Sequence, residues 1–408
     1  MSKRTLSASI LKLATVNASI LLVGFVVIEL IFGSWIHAGK LDRLNLICDA
    51  TIEYELHGLY PSDSDTAIYT RDPWCLRGGY DRVSDIDLLT VGGSTTDQRY
   101  ITDGATWQDT LQEEFRKTGT RISIANAGVD GQSTYGHLMS FEHWLPEIDS
   151  LRPSWILFYV GVNDMFKSAG YAFDRLFDDS LQRSSPVEKV KKSIRKRSAL
   201  FYLYRTARGA VQAHAYGLDH RYTDPFATDG WVEEPLISDH EKVLAPQLGA
   251  YAKRLRMLCE RARDMGSTPI FVTQPSRVFK LEGDRIRGTS KNLEIGDLRF
   301  NGVDYYHFLG VLNAKTLEIA RECGALGLDL ASELTFDPEA DFYDRIHNTP
   351  SGARRIGRYL HAKLRPVLAS SQRRATGGEW AVHRENKPLL RSAGAVSDIL
   401  TNWGPERR

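Results

Sequence analysis

The stretch LLTVGGSTTDQRY, residues 88–100, runs from an apolar segment directly into a tight turn. Gly92 and Gly93 allow the backbone to turn sharply, and Ser94 follows them at once. A serine at such a position either caps a turn or short helix, or serves as a nucleophile with an open side chain. The segments around this stretch favour the second interpretation.

Short apolar segments alternate with longer helical patterns along most of the chain. The apolar segments predict strands at 86–91, 121–126, 155–160, 269–274 and 326–330, and the longer patterns predict helices at 105–117, 133–145, 240–265, 303–323 and after Pro350. Strands this short and this uniformly apolar are typical of a sheet that is covered on both faces. The sequence therefore predicts an α/β fold with a five-stranded parallel sheet in a doubly wound arrangement.

An apolar run near the N-terminus predicts a membrane anchor. Residues 18–36 carry a single charge, Glu29, and at about 1.5 Å per residue they just span about 30 Å of hydrocarbon. Three basic residues precede the run, which predicts a cytoplasmic segment 1–17 and an extracytoplasmic remainder. Glu29 lies toward the outer end, where snorkelling or a helix partner can relieve its cost. A cleaved signal peptide and a buried core helix are the alternatives to this retained anchor.

The remaining boundaries follow from changes in composition. Residues 37–85 hold turn signals and little periodicity, and we interpret them as a linker or edge segment. The main domain is predicted over 86–368, with an insertion at 166–239. A basic run at 189–197 within the insertion either binds anionic head groups or glycan, or forms a solvated helix face. The polar segment 369–408 predicts a largely disordered tail.

Charge and cysteine usage narrow the function classes. With 52 Lys and Arg against 51 Asp and Glu, the chain has no electrostatic footprint for nucleic acid. The four cysteines have no metal spacing, and no phosphate loop or dinucleotide fingerprint is present, so we expect no cofactor. In an exported domain Cys48 and Cys75 can form a disulfide; the alternative is four buried thiols, which we expect for Cys259 and Cys323.

Residues suited to acyl transfer follow three of the predicted strands and precede the last helix. A serine attacks a carbonyl well only if a base takes its proton and donors stabilise the oxyanion. The chain supplies Ser94 after the first strand, Gly131 after the second, Asn163 after the third, and Asp344 with His347 before the last helix. Because strand ends of a parallel sheet meet at one edge, we expect these residues to lie together.

Together and in this order, these blocks resemble the SGNH (GDSL-type) hydrolase superfamily over about residues 86–364. The resemblance implies a flavodoxin-like sheet and assigns the following roles: nucleophile Ser94, general base His347, its orienting carboxylate Asp344, and oxyanion donors Ser94, Gly131 and Asn163. The segment Thr273-Gln274-Pro275 also looks like one that is common in this family. One departure is clear, since Gly93 stands where the family has the aspartate of its GDS motif.

Competing assignments exist at several of these positions. Gly128 is the other glycine of its block, and Asp341 is a rival to Asp344, although its spacing to His347 fits local pairing less well. Ser94 can also act as a helix N-cap. The serine is outside a G-x-S-x-G motif and the Asp and His are close in sequence, and both features argue against an α/β-hydrolase.

The sequence thus predicts an exported, membrane-anchored bacterial serine esterase. Its expected substrates are O-acetyl or other short-chain carboxylic esters on an envelope glycan or lipid. An O-acyltransferase that uses the same residues to modify a polysaccharide is the first alternative. The second alternative is an inactive glycan-binding or assembly protein on a hydrolase scaffold.

Overall fold

The computed structural model describes residues 3–32, 41, 44–56, 58–167, 174, 176, 198–201, 203–204, 230–290, 293–295 and 298–376. These residues fall into two compact units. The smaller unit lies within Met1–Leu46 and Arg175–Arg221, and the larger one lies within Ile47–Asp174 and Tyr222–Arg408.

The smaller unit contains the long N-terminal helix Lys3–Phe32. Its segment Lys12–Phe32 is long and apolar enough to cross a membrane, with a mean hydropathy of 2.2 over the most apolar window and no buried part. The apolar side chains point outward all round, as they do in a helix whose solvent is lipid. The predicted span ended at residue 36, and residues 33–36 lie outside the described part of the chain.

The larger unit is built on a five-stranded parallel sheet, as predicted. Its strands are Leu88–Gly92, Ile124–Asn126, Trp155–Tyr159, Thr268–Val272 and Leu326–Leu328, which we number one to five. Their spatial order is 2-1-3-4-5, and every neighbouring pair is parallel. This is the flavodoxin-like order, whose switch point falls at the carboxyl end of the first strand. Ser94 lies at that point.

Helices cover both faces of the sheet and bury it. Trp107–Lys117 and Pro350–Thr376 pack together on one face, and Thr134–His143, His240–Asp264 and Gly302–Glu322 form the second layer. Alternate strand residues such as Leu88, Leu157 and Ile270 contact the first layer in one continuous cluster. The uniformly apolar strands are thus explained, because neither face of the sheet meets water.

The segment predicted as a linker or edge contains regular structure that the sequence pattern did not indicate. Strands Ala50–Glu55 and Thr66–Arg71 pair as an antiparallel hairpin. A disulfide joins Cys48 to Cys75 and thereby closes the base of this hairpin. Of the other two cysteines, Cys259 is a buried thiol as expected, whereas Cys323 is only partly buried.

The connection after the fourth strand and the tail contain structure that the sequence pattern did not indicate. Residues 276–302 form strands Phe279–Glu282, Arg285–Thr289, Leu293–Ile295 and Leu298–Phe300, and Trp231–Val232 pairs with the second of these. Short helical turns complete the fold at Val83–Asp85, Leu145–Glu147, Val162–Asp164 and Leu330–Glu333. The last helix continues to Thr376, so the tail predicted from 369 begins too early. The basic run 189–197 and residues 377–408 lie outside the described residues.

Candidate active site

The first strand delivers Ser94 to the edge of the sheet. The strand ends at Gly92, Gly93 is the N-cap, and the short helix Ser94–Asp97 begins directly after it. The backbone N–H groups of Thr96 and Asp97 both donate to the Gly93 carbonyl. Ser94 therefore makes no capping bond with its side chain, and its hydroxyl is available for another partner.

That partner is His347, which is in turn bound to Asp344. His347 Nε2 lies 2.6 Å from Ser94 Oγ, and His347 Nδ1 lies 2.6 Å from Asp344 Oδ2. The second carboxylate oxygen accepts the backbone N–H groups of Ile346 and His347 at 2.9 and 2.8 Å. Tyr343 N–H donates to the His347 carbonyl and closes the loop, and its ring stacks on the imidazole at 5.5 Å. The carboxylate, imidazole and hydroxyl thus form one hydrogen-bonded line.

The charges in this line tune the pKa of the imidazole. Burial disfavours the imidazolium, but attraction by the Asp344 carboxylate and the hydrogen bond that His347 donates to it outweigh this effect, so the pKa of His347 rises above its ordinary value. Burial likewise opposes ionisation of Asp344, yet His347 and the two backbone N–H groups lower the pKa of that carboxyl. Asp344 stays ionised and the imidazole is a stronger base than free histidine.

The loops that follow the first three strands carry three candidate hydrogen-bond donors, which are the N–H groups of Ser94 and Gly131 and the side-chain amide of Asn163. Asn163 lies in the turn Val162–Asp164, where one of its amide hydrogens is donated to the Gln132 carbonyl at 2.8 Å and the other is available. Gly131 precedes Gln132 at a φ of +76°, and its N–H has no acceptor among the described residues. Gly128, the rival glycine, donates its N–H to Asn126 Oδ1 at 2.8 Å. The geometry therefore favours Gly131 over Gly128 as a donor.

Because Gly93 has no side chain, the Asn163 amide can lie against the backbone of residue 93, next to the nucleophile. A Cβ built on Gly93 would overlap Asn163 Nδ2 and lie 2.8 Å from the Gln132 carbonyl oxygen. The aspartate that the related motif carries at this position does not fit here unless the amide moves. Gly93 and Asn163 thus share one small volume beside the nucleophile.

We expect Gly93→Ala to lower kcat about 10²- to 10³-fold, the usual cost of losing one oxyanion donor, because the new methyl group displaces the Asn163 amide. Gly249→Ala is the matched control, since a Cβ there meets nothing within 4 Å in an ordinary helix. Steady-state hydrolysis of an aryl acetate measures both variants. A wild-type kcat in Gly93→Ala contradicts the placement of Asn163.

A buried ion pair fixes the turn that carries Asn163. Asp164 is fully buried, pairs with Arg254 at 3.1 Å and accepts the backbone N–H of Thr134 at 3.1 Å. Burial raises the pKa of Asp164 against the attraction of Arg254. On the other side, Gln274 Oε1 accepts the Val162 N–H at 2.6 Å. The turn is therefore held from both ends.

Gln274 also connects this turn to the nucleophile loop. Its Nε2 donates to Thr95 Oγ1 at 2.8 Å while its Oε1 holds Val162. One side chain from the end of the fourth strand thus bridges the blocks that carry Ser94 and Asn163. It belongs to the segment that the sequence singled out only by resemblance, and its bridging role is visible only in the fold.

Two buried arginines of the hairpin region hold the nucleophile loop in place, and no local sequence pattern predicts them. Arg71 pairs with the carboxylate of Asp97 and donates to three backbone carbonyls, those of Cys75, Asn126 and Gly128. Arg77 donates to the carbonyls of Asp97, Gln98 and Ile101. These bonds join the segment around the disulfide to the loops that carry Ser94 and Gly131.

Asp341, the alternative to Asp344, has a structural role, and so has a buried histidine of the second helical layer. Asp341 is buried and holds Arg355 at 2.8 Å and Ser351 Oγ at 2.9 Å, so it is not the partner of His347. His137 is buried, and desolvation lowers its pKa to about 4. Among the residues that the structure describes, no group of three or more His, Cys, Asp or Glu side chains could hold a metal ion.

Comparisons with known proteins return solved structures only. No protein-family model matches the chain, and no curated protein matches it. TesA shares 12% identity at a TM-score of 0.34, and the match covers 68% of this chain and 98% of TesA. The acetylxylan esterase Axe2 from Geobacillus stearothermophilus shares 14% at 0.36, covering 68% and 92%. The acetyl xylan esterase AlAXEase shares 12% at 0.36, covering 68% and 100%. Likeness at this level assigns neither activity nor substrate to this chain.

Proposed function

We propose that the chain is a serine hydrolase of the SGNH (GDSL-type) kind that cleaves carboxylic esters through an acyl-serine intermediate. The observation that supports it best is the hydrogen-bonded line from Asp344 through His347 to Ser94 Oγ, with both contacts at 2.6 Å. The candidate donors for an oxyanion are the N–H groups of Ser94 and Gly131 and the amide of Asn163, which lies against Gly93, the residue before the nucleophile.

The chemistry follows from these positions. Ser94 Oγ attacks the ester carbonyl while His347 Nε2 takes its proton, and Asp344 stabilises the imidazolium that forms. The carbonyl oxygen becomes an oxyanion and accepts hydrogen bonds from Ser94, Gly131 and Asn163. His347 then protonates the leaving alcohol. Water, activated by the same imidazole, releases the acid from the acyl-serine.

We further propose that the domain is exported and held at the membrane by the helix Lys12–Phe32. The length and hydropathy of this segment support an anchor, and the basic residues before it support a cytoplasmic N-terminus. The disulfide between Cys48 and Cys75 supports an oxidising compartment for the domain. Short-chain acyl groups on an envelope glycan or lipid are the substrates that this location favours.

A fluorophosphonate probe tests the proposal directly. The probe reacts with a serine only where a base and an oxyanion site activate it. We expect one adduct on the folded protein, which peptide mass spectrometry places on Ser94, and no adduct after denaturation. Failure of the folded protein to react would leave the inactive-scaffold alternative in its place.

Transfer to a second alcohol uses the same acyl-serine, so the products decide between hydrolysis and transfer. With an acetylated oligosaccharide in water, we expect net loss of ester and release of acetate. A net gain of ester on a glycan acceptor, with an acyl donor present, would replace the hydrolase with an O-acyltransferase.

The pH profile of kcat/KM depends on the charge of the imidazole. Only neutral His347 can accept the serine proton, and its pKa is raised above 6.5, so activity falls as the pH drops through a midpoint above 6.5. In Asp344→Asn the attraction is lost while the burial remains, so the midpoint moves to lower pH. A wild-type midpoint at or below 6.5 contradicts the close pairing of Asp344 with His347.

A further inference from the structure

Within the smaller unit, the one charged residue of the apolar run is bound by a distant segment of the chain. Glu29 Oε1 accepts Ser198 Oγ at 2.6 Å and Leu200 N–H at 3.2 Å, and Glu29 Oε2 accepts Ala199 N–H at 3.1 Å. Ser198 Oγ itself accepts Phe201 N–H at 3.0 Å. Residues 199–201 and 203–204 are helical, so the carboxylate of one helix caps the start of another.

This contact offsets two costs that exist only in lipid. A carboxylate inside a bilayer is costly on insertion scales, and backbone N–H groups without acceptors are also costly there. In water both groups are hydrated and lose little when they are apart. The hydrogen bonds between Glu29 and residues 198–200 therefore stabilise the unit most when both partners lie at membrane depth.

The contact lies within the apolar part of the candidate span. Glu29 belongs to the segment Lys12–Phe32, so the residues that bond to it lie at membrane depth when that segment is in a bilayer. Leucine favours the hydrocarbon of a bilayer, and tyrosine concentrates where the hydrocarbon meets the polar head groups. Leu203 and Tyr204 are 64% and 57% exposed, and the ring of Phe201 packs near that of Tyr204 at 6.1 Å.

We propose that residues 198–201 and 203–204 form a membrane-contacting element that docks on Glu29 and places Leu203 and Tyr204 in the lipid of the bilayer that holds the anchor. The partner of this surface is the acyl-chain and glycerol region of the membrane. The element gives the chain a second attachment to the membrane, beside the anchor. This inference rests on the membrane anchor of the proposed function and not on its esterase activity.

A depth-sensitive fluorophore tests the placement. In the full-length protein with Cys259→Ala and Cys323→Ala, Leu203→Cys is labelled with nitrobenzoxadiazole and reconstituted into vesicles of phosphatidylethanolamine and phosphatidylglycerol. We expect blue-shifted emission and at least about twofold quenching by lipids spin-labelled along the acyl chain, from the head-group end to its middle. Leu281→Cys, 58% exposed in the larger unit, is the matched control with water-like emission. A label at 203 that behaves like the one at 281 overturns the inference.

Substitutions at Glu29 test the docking. Glu29→Leu removes every acceptor, so quenching at 203 should fall to the level of the 281 control. Glu29→Gln retains one acceptor oxygen, which can keep the bonds from Ser198 and Leu200 but not the one from Ala199, so it should keep part of the quenching. Unchanged quenching in Glu29→Leu overturns the role of Glu29.

A third label separates this inference from the proposed function. Val23→Cys, 61% exposed in the middle of the helix, reports whether the anchor is in the bilayer. An unquenched label at 23 overturns the anchor and this inference together, whereas a quenched label at 23 with an unquenched one at 203 overturns this inference alone. Aryl acetate hydrolysis by the same samples reports the esterase separately.

Discussion

Replacement of Ser94 by Ala is expected to lower kcat for an aryl acetate by at least about 10⁴-fold, as removal of a triad nucleophile does in serine hydrolases. The reason is that the variant retains the base and the oxyanion donors but cannot form the acyl-enzyme. Its folding should be unaffected, because the only side-chain hydrogen bond of Ser94 within the described residues is the one with His347. Hydrolysis kinetics and thermal unfolding measure the two effects.

The matched control is Ser332→Ala, at an exposed serine whose hydroxyl makes one long bond to a carbonyl. It should keep full activity and stability. The assignment is contradicted if Ser94→Ala hydrolyses the ester faster than the uncatalysed rate and keeps more than a small fraction of the wild-type kcat. A large fall in the melting temperature of Ser94→Ala would instead assign this serine a structural role.

Arg71→Met is expected to lower the free energy of unfolding by about 3–5 kcal/mol, the usual cost of breaking a buried ion pair from one side. Arg71 and Asp97 are 4% and 1% exposed, and three buried carbonyls each lose one donor as well, although that of Asn126 keeps the backbone N–H of Arg77. Because two of these carbonyls lie in the block that leads to Gly131, we also expect kcat to fall in the protein that remains folded. Urea unfolding and hydrolysis kinetics measure these losses.

Arg116→Met is the control for this prediction, since Arg116 forms an ion pair with Glu113 on the surface of a helix. Its loss should change stability very little. In the double variant Arg71→Met with Asp97→Leu, no charge is left buried alone, so part of the lost stability should return. An Arg71→Met protein as stable as Arg116→Met contradicts the role of Arg71 in holding the nucleophile loop.

The sheet was predictable from the sequence because its signal is local. Each central strand is a short, continuous apolar run, and burial on both faces demands such a run. The hairpin Ala50–Glu55 and Thr66–Arg71 escaped prediction because its strands mix polar and apolar residues and leave one face partly in water. Its place in the fold is set by the disulfide and by Arg71, which are long-range contacts.

The candidate site likewise combines residues that a local pattern predicts with residues that only the fold reveals. Ser94, Gly131, Asn163 and the Asp344–His347 pair were predicted because each belongs to a short block with its own spacing. The groups that hold those blocks in place, such as the Asp164–Arg254 ion pair, come from segments far apart in the chain. A buried arginine has no local pattern that distinguishes it from an exposed one, so only the fold reveals it.

A side chain at 93 would overlap the amide of Asn163. The residue tolerated at one of these positions therefore depends on the residue at the other. A side chain can enter at 93 only if the residue at 163 is shortened or its turn is rebuilt, since the Cβ and the amide overlap. In a double-mutant cycle the effects of Gly93→Ala and Asn163→Ala on kcat should therefore be strongly non-additive. A descendant of this sequence that acquires an aspartate at 93 must therefore also change residue 163 or the turn that carries it.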